Sequence, residues 1–280
     1  MVESSDSFGS ARVLLVGCGN MGGAMLRGWI AGGLSGERLM VLDPAPRDDV
    51  KQAVAAAGGQ VVADAAALSD RAPPDLVVLA VKPQIMDQVL PTVAPRIGDA
   101  TVALSVAAGR TIASFEAALP AGTAVVRSIP NTPAAIGRGI TVCCANAAVT
   151  AEGRARVTAA LSAIGAVGWV DDEGLIDAAT AVSGSGPAYV FYLAECLEAA
   201  ARDVGLPADL ARQLAVATVS GAGELLAQAD APAATLRENV TSPNGTTAAA
   251  LDVLMGNDGL RPLLAAAVTK ARDRSRELSD

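Results

Sequence analysis

A short apolar run, Arg12 to Val16 (RVLLV), stops abruptly at Gly17-Cys18-Gly19-Asn20-Met21-Gly22 and gives way to a helical pattern, AMLRGWIAGG. Strand, glycine turn and helix at this spacing constrain the chain more than any other feature, because each glycine answers a separate steric demand. Gly17 permits the tight turn, Gly19 lets backbone approach a pyrophosphate, and Gly22 lets helix and strand pack closely. A pyrophosphate placed there caps the helix N-terminus. The turn therefore reads as the phosphate cradle of a dinucleotide-binding unit. In a chain with 28 glycines a lone match also arises by chance. Its weight comes from following a strand and opening a helix.

A second strand, RLMVLD, ends at Asp43, about twenty residues past the turn, where an acid can accept hydrogen bonds from the adenosine ribose and repel a 2′-phosphate. Two alternatives stay open. Asp43-Pro44 begins an ordinary turn, or nearby Arg47 pairs with a phosphate. Further strands are QVVAD, DLVVLAVKP and ATVALSVAAG, and their near-continuous Val and Leu runs suit strands buried on both faces. Pro83 ends one of them, which puts Lys82 at a carboxyl strand end, where open α/β sheets place ligands. A solvated strand end is the plainer reading of a single Lys. AVVRSIPNTPAAIGRGITVCCA and GAVGWVDDE read as closing strands with a Pro-rich loop between them, and complete the expected sheet.

From about Asp171 the strand signal disappears. SGSGPAYVFYLAECLEAAARDVG offers Pro187 at a first helical position and a stop at Gly205, and Pro207 can open a second long helix. Both are apolar beyond one stripe, so burial against other helices, including those of another subunit, is expected. Thr246 to Met255 and Gly259 to Leu278 complete an all-α region. Within it, leading into the helix from Thr246, lies Thr241-Ser242-Pro243-Asn244-Gly245-Thr246-Thr247, where hydroxyls and turn formers precede a helix. Its N–H groups can hold a carboxylate, or the loop is an ordinary capping turn.

Composition excludes more than it assigns. The 280 residues contain no histidine, which removes His-based triads, usual zinc sites and imidazole acid–base chemistry, and no metal site is expected. Formal charge is −8 with no basic run, so neither nucleic acid nor an anionic membrane is an expected partner. The opening lacks the pattern of a signal peptide and no apolar segment is long enough to span a bilayer, which predicts a soluble cytoplasmic protein. Cys18, Cys143, Cys144 and Cys196 lack C-x-x-C spacing and suit buried, reduced thiols.

GCGNMG, AVKPQ (Ala80 to Gln84), SVAAG (Ser105 to Gly109), RSIPNTP (Arg127 to Pro133), SGSGPAY (Ser183 to Tyr189) and ENVTSPNGTT (Glu238 to Thr247) occur in the order and spacing of one family. On these motifs the chain resembles the pyrroline-5-carboxylate reductases along almost its whole length. The resemblance implies an α/β N-terminal Rossmann domain with a mostly parallel doubly wound sheet, residues 1–171. An all-α domain, residues 172–280, would bind substrate and dimerise. It implies NADPH or NADH as cofactor and reduction of the cyclic imine of 1-pyrroline-5-carboxylate to L-proline, in a homodimer or larger assembly. Gly17, Cys18, Gly19, Asn20, Met21, Gly22, Asp43, Ala80, Val81, Lys82, Pro83, Ala108 and Gly109 would contact the cofactor. Ser242, Pro243, Asn244, Gly245, Thr246 and Thr247 would hold substrate, with the Thr247 hydroxyl bonded to the ring nitrogen as the catalytic contact. Two positions depart from the family. Asn244 stands where Gly is usual, although Asn tolerates left-handed backbone. Asp43 stands where NADPH-preferring members carry a small or basic residue, which leaves the cofactor choice open. The competing readings are another small two-domain imine or β-hydroxyacid dehydrogenase and a non-catalytic dinucleotide-binding regulator. The absence of Lys between Ser183 and Val268 counts against a hydroxyacid dehydrogenase, which needs a proton acceptor there.

Overall fold

In the computed structural model, residues 8–278 are described. The reading of the opening as free of a signal sequence falls largely on residues 1–7 and lies outside them. The strands are β1 (Val13–Val16), β2 (Leu39–Leu42), β3 (Gln60–Val62), β4 (Leu76–Leu79), β5 (Val102–Ser105), β6 (Ala124–Ile129), β7 (Gly139–Ala145) and β8 (Gly165–Val170). They form one sheet in the order β3-β2-β1-β4-β5-β6-β7-β8. All pairs are parallel except β6 with β7. The mostly parallel doubly wound sheet that the resemblance implies is therefore present, and the apolar runs supply its doubly buried strands.

The helices of this part are α1 (Asn20–Ala31), α2 (Asp48–Ala56), α3 (Met86–Val93), α4 (Ile112–Ala118), α5 (Ala151–Ser162) and α6 (Leu175–Ala179). Side chains of a strand alternate between faces. Val13 and Leu15 accordingly enter one apolar cluster with Met25 and Trp29, while Leu14 and Val16 enter a second with Met86, Leu90 and Phe115. Both faces are covered, so β1, β2, β4 and β5 are buried at every residue. Trp29, the largest of these side chains, donates its indole N–H to Ala160 O at 2.8 Å and so ties α1 to α5. β1 leads to β2 and β3 on one side, after which the chain returns to β4 on the other. That reversal opens a crevice at the carboxyl ends of β1 and β4.

The remaining helices are α7 (Gly186–Asp203), α8 (Ala208–Gln228), α9 (Ala233–Asn239), α10 (Thr246–Leu254) and α11 (Leu260–Glu277). Pro187 sits in the first turn of α7 and Pro207 directly precedes α8, as their fixed φ favours. The chain divides into two compact units. One holds the described residues through Gly184 together with those from Arg272 onward, and the other is Ser185–Ala271. In the second unit α7 packs on α8, yet only Ala211 and Ala215 are buried. Phe191, Tyr192, Leu193 and Val216 are exposed, so the burial expected of these helices is not met within one chain. Cys196, expected to be buried, is exposed because it lies on α7. The other three thiols are buried. No helix among the described residues is long and apolar enough to cross a membrane.

Candidate functional site

The glycine turn has the geometry its sequence demands. Gly17 adopts φ +84°, and a Cβ there would meet Val81 Cγ1 at 2.7 Å and Ala80 O at 3.0 Å. A Cβ on Gly22 would stand 2.3 Å from Gly17 O, so α1 approaches β1 only without one. At Gly19 a Cβ would meet nothing within 4 Å, and the space it would enter stays open to a ligand. No side chain caps α1 and its first turn carries no acid. The N–H groups of Asn20, Met21 and Gly22, which have no partners inside a helix, are thus available to an anion. These residues fit a dinucleotide pyrophosphate.

A groove of about 720 Å³ runs along the carboxyl strand ends. Gly17, Cys18, Gly19, Asp43, Ala80, Val81 and Lys82 line it, so seven residues singled out from sequence are brought together. Lys82 is exposed and precedes the short turn opened by Pro83. Ala108 and Gly109 lie on the loop after β5, where Gly109 has φ +72°. That loop is fixed at its far end by Arg110, ion-paired to Asp87, and by Glu173 Oε1, which accepts the Ile112 N–H at 2.8 Å. Sequence reasoning missed Gln88, Val89 and Thr92, which line the groove from α3. Their only signal was position on the helix after a buried strand.

Asp43 is already engaged. Its Oδ2 accepts the Cys18 N–H at 2.7 Å and its Oδ1 accepts the Ala45 N–H at 2.9 Å. The turn reading and the ligand reading are therefore compatible, since each carboxylate oxygen keeps a second lone pair. Arg47 pairs with Asp49 at 3.1 Å on the surface. Burial, then the charge of Asp43, pushes the Cys18 thiol up to about 11.

In the second unit, loop 241–247 turns through Asn244 at φ 59°, the only non-glycine residue with positive φ among those described. Asn tolerates this conformation, so the departure from Gly leaves the turn intact. Gly245 N donates to Ser242 O at 3.0 Å, and a Cβ on Gly245 would collide with Ser242 Oγ. Gly245 is the N-cap of α10, and no side chain caps that helix. The capping role weighed for these hydroxyls is thus not what the loop performs. Thr246 is exposed and Thr247 half-buried. No cluster of metal-ligating side chains occurs among the described residues.

Residues 173–278 match a family model described as pyrroline-5-carboxylate reductase dimerisation. Residues 12–109 match one described as NADP oxidoreductase, coenzyme F420-dependent. The pyrroline-5-carboxylate reductase of Pseudomonas aeruginosa is 39% identical over 269 residues, covering 96% of this chain and 97% of its own. The solved structure of a pyrroline-5-carboxylate reductase from Coxiella burnetii aligns with TM-score 0.89 at 32% identity, covering 97% of this chain and 99% of that one. That of Plasmodium falciparum pyrroline carboxylate reductase, with NADP bound, aligns with TM-score 0.80 at 27% identity, covering 98% and 100%.

Proposed function

The chain belongs to the pyrroline-5-carboxylate reductase family, and from that premise we propose how its residues carry out the reaction. It is an NAD(P)H-dependent oxidoreductase that reduces the C=N bond of 1-pyrroline-5-carboxylate and yields L-proline, acting as a homo-oligomer. The groove at the carboxyl strand ends takes the dinucleotide, with pyrophosphate on the first turn of α1 and ribose beside Asp43. Ala80 to Pro83, with Ala108 and Gly109, complete that contact. Reduced nicotinamide supplies the hydride.

Loop 241–247 holds the substrate. The observation that carries this assignment is the start of α10, whose first N–H groups no side chain caps. Such an end attracts a carboxylate through its unpaired donors and its dipole. Thr247 accepts a hydrogen bond from the protonated ring nitrogen, which orients the imine carbon and stabilises the charge that makes it electrophilic. A cyclic imine is readily protonated near neutral pH, so positioning matters more than a strong base. A chain without histidine can therefore serve. We assign residues 1–171 to cofactor binding and 172–280 to substrate binding and dimerisation.

The test is loss of reduced-nicotinamide absorbance with 1-pyrroline-5-carboxylate, once with NADH and once with NADPH, and proline identified as product. Turnover with at least one is expected. Tight dinucleotide binding without turnover would leave the regulator reading in its place.

A further inference from the structure

Gly23 follows the glycine turn, and the space beside it gathers positive charge. A Cβ there would stand 3.4 Å from Arg27 Nη1, 3.6 Å from Arg47 Nη2 and 3.8 Å from Cys18 O. Two guanidinium groups, one from α1 and one from the residue ahead of α2, therefore face a single small volume at the edge of the turn. Arg27 makes no ion pair among the described residues, whereas Arg47 pairs only with Asp49, through side chains 50% and 61% exposed. Exposed pairs of this kind hold weakly and exchange partners readily.

The negative groups nearby are Asp43 and Asp49. Asp43 directs both oxygens at backbone N–H groups, so its charge is partly satisfied internally. The Cys18 thiol, pushed up chiefly by burial, senses the same set: Asp43 and Asp49 raise it further, while Arg47 and Arg27 lower it. These charges therefore ring the turn at which β1 and β2 present the ribose-reading position.

We propose that Arg27 and Arg47 form a 2′-phosphate subsite at the edge of the dinucleotide groove, so that the chain accepts the phosphorylated cofactor despite the carboxylate of Asp43. This rests on reading the groove as the dinucleotide site. A guanidinium keeps its charge at any working pH and offers parallel N–H groups that match phosphate oxygens. Two of them approaching from different elements embrace a phosphate that a lone exposed Arg would hold poorly. The pyrophosphate does not compete for them, because the uncapped first turn of α1 serves it. NADH lacks the group they recognise, and its ribose hydroxyls are left to Asp43.

Binding of NADPH and NADH to the full-length protein by calorimetry, with 2′,5′-ADP and 5′-ADP as probes, tests this. Arg27→Gln and Arg47→Gln should each weaken NADPH and 2′,5′-ADP about tenfold, and the double variant more, through loss of charge-assisted hydrogen bonds. NADH and 5′-ADP should stay within about twofold, Lys at either position should restore part of the loss, and added salt should narrow the wild-type difference between the two cofactors. Equal weakening of both dinucleotides would mean the arginines hold pyrophosphate or groove shape. Unchanged NADPH binding in the double variant would mean they are solvated surface charges. Either result overturns the subsite while wild-type turnover keeps the enzyme reading intact. A wild type that binds neither dinucleotide overturns the groove reading and the subsite with it.

Discussion

Asp43 Oδ2 accepts the Cys18 N–H at 2.7 Å, so the carboxylate that ends β2 is bonded to the turn that ends β1. Asp43→Ser should act in two ways. Stability should fall by about 1–3 kcal/mol, because two N–H groups lose a charged acceptor, and the melting temperature by several degrees. The ratio of NADPH to NADH affinity should rise roughly tenfold if about 1.4 kcal/mol of repulsion is relieved. A shifted ratio with an unchanged melting temperature would show that the bond to Cys18 contributes nothing.

A second prediction concerns Arg127, which is 4% exposed on β6. Its Nη1 lies 2.8 Å from Glu173 Oε1 and its Nη2 3.8 Å from Asp177 Oδ1. Asp177 also accepts the Ser275 hydroxyl at 2.7 Å, which brings the last turns of α11 into this unit. Arg127→Met strands two carboxylates, one of them buried, and should cost about 3–5 kcal/mol. Glu173→Gln should cost less, since an amide oxygen still accepts the Ile112 N–H. Denaturant unfolding of both variants checks the order, and equal losses would contradict it.

Thiol titration gives a pH dependence. Burial pushes Cys18 up to about 11 and Cys143 up to about 12. The folded state therefore keeps protons that the unfolded chain releases near pH 8.5. The resulting stability is present below that pH and is lost as pH rises through about 11 to 12. Cys18→Ala should flatten the alkaline decline in melting temperature. Cys18, Cys143 and Cys144 should react with a thiol reagent at pH 8 only on unfolding, and rapid modification of any of the three in the native protein would contradict their burial.

The exposed apolar side chains of the second unit predict an obligate dimer or larger. Phe191 is 62% exposed and Tyr192 66% on α7, an arrangement that suits a homodimer core rather than water. Phe191→Glu should dissociate the assembly and lower the melting temperature. Sedimentation of the wild type as a folded, active 27.9 kDa species would refute the claim.

What the sequence shows and hides follows from the range of the forces involved. The strand, glycine turn and helix from Val13 to Ala31 were legible because sterics act within a few residues. Unbroken Val and Leu runs announced β4 and β5 because burial on both faces removes alternation. The antiparallel β6–β7 pair was not legible, since neither strand records its partner's direction. Nor was the bond from Ser275 to Asp177, which joins residues 98 apart in sequence. The residues near Gly23 illustrate the same limit. Arg27 is unremarkable on a helix until the fold sets it opposite Arg47.

Thr247 carries the chemical claim. If the protonated ring nitrogen donates to its hydroxyl, Thr247→Ala removes one hydrogen bond to a charged group, worth about 1.5–3 kcal/mol. That corresponds to a loss of roughly 10- to 150-fold in kcat/KM. Dinucleotide affinity should barely change, because the glycine turn and groove belong to the other unit. Stability should barely change either, since Gly245 is the N-cap of α10 and no side chain caps the helix. Thr247→Ser, which keeps the hydroxyl, should restore most of the activity. A capping residue would behave in the opposite way, losing about 1 kcal/mol of stability while the folded fraction stayed active. Melting temperature measured beside kcat/KM separates the two, and a destabilised but fully active Thr247→Ala would place the substrate contact elsewhere.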